Sequence, residues 1–551
     1  MTESAAPWYH IGQNDPYVLV PFLGYTIAVF IIAILSHRYL SKSNFETEYY
    51  VGSRSFGAWV LAFSWVATLA SGGTFLGYPS LVYSYGWSVA FWVAGSMITA
   101  IVGLGMVGKR INRLARQTGA LTLVDLLRDR YHSRSVGVIY AVLIVLVTSV
   151  YLIAQFVAGA RILESMLETS YEMGLLIFAV SVVAYTTYGG FRAVAWTDTM
   201  QGIIMIIGIV ILVPLALNRV GGLENATKHL MSRADPVAIE KGLPQTKHAY
   251  LYGPGPEKIS KKKSKTADSG NEAGEETADD SGGDRKESPT PNPWLPFGVG
   301  MSLFMLRSIG GIVMPTTVPR MLAFRDTTAL KRALILLAPY FILMYGSSLI
   351  TMNCAHAIGL ELAPDQSDRA VPELAKIIAP PFLAGLLIAA PFAAVMSTVD
   401  SALLVISGSV VRDIVHRTFV PDLSQKAMKT LIFCTTGVAG LIVFLAALMI
   451  EPAHLQPLVI HYVGASASAL FWPGMATFFW RRATGQGVTV GLAGGLLVYL
   501  LAVLFKPFNS VFPMHPFIYG FLGSLALVAI GSLATPKQPE DRLRFYFGSN
   551  H

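Results

Sequence analysis

The feature that most constrains this chain is a recurrence. Apolar runs close to twenty residues long alternate with short polar links, and basic residues crowd into every second link. A helix needs roughly twenty apolar residues to cross the hydrocarbon core of a bilayer. About thirteen such runs are expected, at 17–37, 57–84, 88–108, 135–160, 172–190, 195–217, 294–316, 330–358, 380–410, 428–450, 455–479, 486–506 and 515–534. The pattern predicts an all-α polytopic membrane protein. Composition agrees, with 53% of residues hydrophobic and 13% charged, where a soluble domain carries about 25%.

The links also set an orientation. Arg38, Lys42 and Arg54 lie in one link, Lys109, Arg110, Arg113, Arg116, Arg128, Arg130 and Arg134 in the next but one, then Arg192. Arg320, Arg325, Lys331 and Arg332 follow, then Arg412, Arg417, Lys426 and Lys429, and finally Arg481 and Arg482. Short cytoplasmic loops accumulate Lys and Arg, so the expected N-terminus is outside and the C-terminus inside, in a cell or inner membrane. This placement explains the formal charge of +8 without a nucleic-acid partner. Cys354 and Cys434 lie in apolar runs and read as separate thiols. No P-loop, nucleophile–base pattern or metal-ligand spacing appears, so no enzymatic function is expected. One domain is expected over 1–551, interrupted by a polar, low-complexity external loop at 254–293 and closed by a cytoplasmic tail at 535–551.

Two runs are unusual inside. The second contains Ala67 to Gly77, a stretch of small and polar residues with Ser71, Gly72, Gly73 and Thr74 at mid-span. Irregular backbone at that depth is tolerated only where it faces protein or a wet cavity, and transporters use such breaks to aim freed carbonyls at an ion. Close helix packing through small residues is the bland alternative. The ninth run holds Ser397, Thr398, Asp400 and Ser401, oxygen donors without a Cys or His beside them. A hard cation such as sodium suits that chemistry; hydroxyls bonding back to their own helix are the alternative.

Charged residues within the spans add to the picture. An ionisable residue at membrane depth is by default a functional candidate. Asp198, read as opening the sixth span, serves either the helix dipole or an ion site or gate. Arg307 lies roughly 20 Å along its helix from Trp294 and needs an anionic partner, either Asp400 or a substrate carboxylate. Thr122 with Asp125 three residues on predicts a capped loop helix, and Arg161 with Glu164 an interfacial ion pair.

On these residues the chain resembles the sodium:solute symporter family over nearly its whole length. Four stretches carry the resemblance: Glu48–Gly57, Gly189–Arg192 with Trp196–Asp198, Pro315–Arg320, and Ala393–Thr398. The resemblance implies a LeuT-type 5+5 inverted repeat, spans two to six and seven to eleven, with flanking helices. It implies a sodium site from the carbonyls of Ala67, Ala70 and Ala394 and the hydroxyls of Ser397 and Thr398. Asp198 matches an acid used by some members for a second sodium or a gate, and Thr74, Trp92 and Arg307 map to the substrate cavity. Tyr171–Phe178, Asp198–Gly202 and Ala389–Ala394 are similar to the pantothenate-carrying branch. The implied function is sodium-driven uptake of a small organic solute, a carboxylate such as pantothenate, with no obligate protein partner. Proline or another monocarboxylate is the nearest alternative; a transport-dead sensor or a sodium-independent exchanger lies further off. The chain departs from the family at Thr316, where a histidine is usual, at Arg307, where the residue is uncharged, and in its extra external loop.

Overall fold

The computed structural model describes residues 16–40, 45–232, 297–450, 455–505 and 514–548. The expected loop at 254–293 lies outside them. Among the described residues the regular structure is all helix, apart from one isolated backbone bridge between Phe56 and Phe324.

The expected spans fall on helical segments. Among the described residues, eight helices are long and apolar enough to cross a bilayer, and the bent pair Ala58–Leu69 and Gly73–Val89 makes a ninth. Tyr171–Thr187, Phe297–Val313 and Phe517–Leu533 are shorter apolar helices, and Leu455–Ser466 continues to Phe479. The spine of the bundle is the helix Pro381–Gly408 with its extension to Phe419, longer than the expected 380–410. In its apolar window 83% of residues are buried, against 28% for Pro16–Leu35. It packs on the fourth span (Arg134–Leu167), on the fifth and sixth together (Tyr171–Val220), and on the first (Pro16–Leu40).

Two local features differ from expectation. The fifth and sixth spans form one helical run kinked at Gly190 (φ 63, ψ −178), a conformation that needs glycine. Helix resumes at once, so Asp198 sits two turns inside the sixth span and not at its start. The seventh span continues past 316. Phe297–Gly310 tightens at Gly311–Val313, turns extended at Met314 (ψ 128), and resumes as Val318–Ala323 with Pro319 in its first turn. Proline is tolerated there because those N–H groups have no helical partner. Spans two and seven, each first in its group of five, are therefore both broken within their length, a correspondence that an inverted repeat predicts.

A capped loop helix, Leu123–Tyr131, closes the basic end. Thr122 and Asp125 form the expected capping box, and Arg161 pairs with Glu164 at 2.7 Å. Cys354 is buried and Cys434 exposed, both free. The tail carries a helix of its own, Glu540–Phe547.

Candidate functional site

The break in the second span is made by sequence and held by neighbours. Ser71-Gly-Gly73 has little helix preference, and just before it, at Ala70, the backbone turns extended (φ −80, ψ 92). The last turn of Ala58–Leu69 then has carbonyls without helical donors. Thr74 Oγ1 donates to Leu69 O across the break at 3.2 Å, and Gln155 Oε1 accepts from Gly72 N at 2.9 Å. A Cβ at Gly72 would stand 2.6 Å from Ala158 Cβ and 3.2 Å from Val395 Cγ2, so only glycine lets the fourth and ninth spans approach this closely.

Onto that break the ninth span delivers its hydroxyls. Ser397 Oγ donates to Ala67 O at 2.8 Å and to Ala394 O at 3.0 Å; Thr398 Oγ1 donates to Ala394 O at 3.0 Å. Ala67, Ala394, Ser397 and Thr398 are all fully buried. Four of the five predicted ion ligands therefore meet in one cluster of oxygens, and Ala70 caps the same helix end. The donor set is neutral and all oxygen, and no group of three His, Cys, Asp or Glu side chains able to hold a metal occurs among the described residues. Such a set fits a monovalent hard cation.

One turn beyond Ser397 lies a second, charged cluster. Arg320 Nη2 pairs with Asp198 Oδ2 at 2.6 Å, both side chains fully buried. The same guanidinium reaches Ser401 Oγ at 2.7 Å, Ser64 Oγ at 3.0 Å and Thr316 O at 2.8 Å, while Ser64 Oγ donates to Asp198 Oδ2 at 2.6 Å. Spans two, six, seven and nine are tied here. The loop-cation reading of Arg320 is corrected, because the helix after Met314 carries it inward. Asp198 Oδ1 has no hydrogen-bond partner among the described residues.

The predicted substrate residues also converge. Arg307 Nε donates to Ser96 Oγ at 2.9 Å, and its Nη2 donates to the Tyr345 hydroxyl. Tyr345 OH lies 3.4 Å from Thr74 Oγ1. The Tyr78 ring stacks on Trp92 (centroids 6.2 Å) and meets Tyr345 edge-on at 5.2 Å. Thr74, Trp92 and Arg307 are each 5–6% exposed. Arg307 does not pair with Asp400, whose Oδ1 accepts from Thr186 Oγ1 at 2.6 Å on the fifth span. Arg307 has no acidic partner among the described residues. Sequence reasoning missed Tyr345, Ser96, Ser64 and Arg320's inward role.

Side-chain contacts bridge neighbouring elements at both ends of the bundle. At the basic end Arg412 pairs with Asp125 (2.9 Å) and with Glu46, and Thr122 Oγ1 donates to Asp413 Oδ1 at 2.8 Å. Burial alone would raise the Asp125 carboxyl, but Arg412 and Arg417 hold it below the usual carboxylate range. At the opposite end Tyr83 OH donates to Leu360 O at 2.8 Å, and Ser80 Oγ lies 2.7 Å from Ser367 Oγ.

The profile of the "Sodium:solute symporter family" matches residues 49–495. A sodium/pantothenate symporter of Escherichia coli (strain K12) is 33% identical over 524 residues, covering 94% of this chain and 96% of the relative. A sodium/proline symporter of the same organism is 26% identical, covering 97% and 96%. Among solved structures, a Na+-coupled sialic acid symporter in a substrate-bound outward-open state superposes with a TM-score of 0.72 at 17% identity, covering 95% of this chain and 98% of that one.

Proposed function

The chain belongs to the sodium:solute symporter family, couples solute movement to sodium, and has the LeuT-type fold; from that premise we propose that it takes up pantothenate. The observation that carries this reading is Arg307, a buried guanidinium with no acidic partner among the described residues, bonded to Tyr345, whose hydroxyl in turn reaches Thr74. A cation at membrane depth needs an anion, and pantothenate brings one carboxylate together with hydroxyl and amide groups. Similarity to sodium/pantothenate symporters supports the same substrate.

In this reading sodium is held by the carbonyls of Ala67, Ala70 and Ala394 and the hydroxyls of Ser397 and Thr398. Those hydroxyls turn their hydrogens away from the carbonyls and offer lone pairs instead. The break in the second span couples the two sites: Ala67 precedes it, Thr74 follows it, and Thr74 bonds across it to Leu69 O. An ion bridging spans two and nine fixes the geometry of the break, and with it the position of Thr74 in the solute site. Coupling then follows from differential affinity of each ligand for the alternate conformations. Asp198 and Arg320 act as the gate beneath the ion, on the basic side. The basic end faces the cytoplasm, with the N-terminus outside.

The test is uptake of labelled pantothenate into proteoliposomes, with and without an inward sodium gradient and with proline as competitor. Sodium-driven uptake that proline does not inhibit is expected. Ser397→Ala should raise the sodium needed for half-maximal uptake roughly tenfold, the worth of about one hydrogen-bond-scale contact. Sodium-driven proline uptake instead would move the substrate and keep the ion site. An unchanged sodium dependence in Ser397→Ala would remove the ion site.

A further inference from the structure

On the basic end, between the third span, the eleventh and the tail, lies a cleft of about 470 Å³. Lys109, Arg110, Arg113 and Arg544 line it together with Met106, Leu114, Gln117, Phe479 and Phe545 to Gly548. Four cations and no acid form its wall. Lys109, Arg113 and Arg544 are surface-exposed and make no ion pair among the described residues. Like charges at this density repel, so the arrangement costs free energy unless an anion joins it.

The cleft is built. Arg110 lies between the Phe479 and Phe547 rings, 5.1 and 5.2 Å from their centroids, and donates to Tyr546 O at 3.2 Å. Tyr546 is buried, and its hydroxyl meets Asp129 Oδ2 at 2.6 Å on the loop helix. Arg130 stacks on Phe547 at 4.8 Å. These contacts fold the terminal helix back against Lys109–Thr118 and fix the far wall.

The wall is also amphipathic. Met106 (56% exposed), Phe479 (41%) and Phe545 (51%) stand at its lip. Met106 lies one helical turn from Lys109 and Arg110, on the membrane side of them. A soluble phosphate would use the cations and leave this apolar lip in water. A phospholipid uses both: its phosphodiester meets the cations and its acyl chains run past Met106 and Phe479. Basic pockets of this kind between spans bind anionic head groups.

We propose that this cleft is a binding site for one anionic phospholipid, whose head group bridges the third span to the terminal helix. The loop helix beneath it carries Asp125, the partner of Arg412 on the extended ninth span. Occupancy therefore firms the contact that closes the basic end.

The test uses the purified full-length protein in detergent. Thermal unfolding is followed against added phosphatidylglycerol, phosphatidylcholine and glycerol 3-phosphate, with native mass spectrometry to count bound lipids. Phosphatidylglycerol should stabilise the wild type, and the other two should not. Lys109→Gln/Arg113→Gln/Arg544→Gln should weaken phosphatidylglycerol binding by roughly fivefold for each cation removed. The charge-matched control Lys331→Gln/Arg332→Gln/Lys426→Gln, on exposed residues of the same end, should bind like the wild type. Equal losses in the two variants would reduce the effect to non-specific attraction and overturn the site. Equal stabilisation by glycerol 3-phosphate would overturn the lipid assignment. If the triple variant does not fold, Arg544→Gln alone decides, and unchanged affinity there overturns the proposal.

Discussion

Arg307 and Arg320 sit on the two halves of one broken span, both deep in the protein, and the structure treats them in opposite ways. Arg320 is fully buried and completely answered: a carboxylate, two hydroxyls and a carbonyl lie within 3.0 Å of its guanidinium. Among the described residues Arg307 meets the hydroxyls of Ser96 and Tyr345 and the Tyr345 ring, and no acid. Removing an ion from water costs several kcal/mol even after relaxation, and an internal opposite charge offsets much of that. The arginine that has an internal acid ties four spans together, and so holds the proposed gate shut. The one left without it keeps an unmet demand for an anion, and that demand is what a transporter can offer to a solute.

The largest effect should follow from breaking the answered pair. Arg320→Ala leaves Asp198 buried without its counter-charge, with an expected destabilisation of about 3–5 kcal/mol. Thermal or denaturant unfolding of the purified protein measures it. Adding Asp198→Asn removes the stranded charge and should recover a substantial part of the loss. A single variant as stable as the wild type would mean the pair does not hold the four spans together.

Arg307→Gln should behave in the reverse sense. It removes a charge whose desolvation no acid among the described residues offsets, so stability should hold or rise. Uptake should fall, since a charge-assisted hydrogen bond is worth about 1.5–3 kcal/mol, or roughly ten- to hundredfold in apparent affinity. Stability and uptake measured on one preparation separate the two arginines. If Arg307→Gln unfolds as readily as Arg320→Ala, the comparison collapses and both residues are structural.

Sequence reached one of these arginines and misread the other, for reasons of geometry. The break at Ala70–Gly73 and the pair Ser397–Thr398 were legible because each is local: composition sets the break, and helical spacing puts the hydroxyls on one turn. Arg307 was legible by its depth. Its partner was not, because position along a helix gives depth but not facing, and Asp400 turns toward Thr186 on the fifth span. Arg320 read as a loop cation because the apolar run ends near Pro315, and Pro319 speaks against a helix until it is seen at a helical start. Asp198 read as a first-turn residue because Gly189 and Gly190 look like a turn, whereas the structure spends only Gly190 on a kink. Tyr345 carried no signal at all, since a tyrosine in an apolar helix reads as core.

Tyr345 supplies the finest test of the contrast. Its hydroxyl stands between Arg307 and Thr74, and its ring packs at 6.1 Å on Phe341 and at 5.2 Å on Tyr78. Tyr345→Phe keeps the ring contacts and deletes the hydroxyl, so stability should change little. The loss of one hydrogen bond, about 1 kcal/mol, should raise the KM for the solute roughly fivefold. The sodium response then distinguishes two roles. If the hydroxyl only orients Arg307, half-saturation by sodium stays at its wild-type value. If it also steadies Thr74 across the break in the second span, the carbonyl of Ala67 feels the change and sodium affinity falls in parallel. An unchanged KM would show that Arg307 needs no hydroxyl to hold its place, and its unmet charge alone would then have to account for solute recognition.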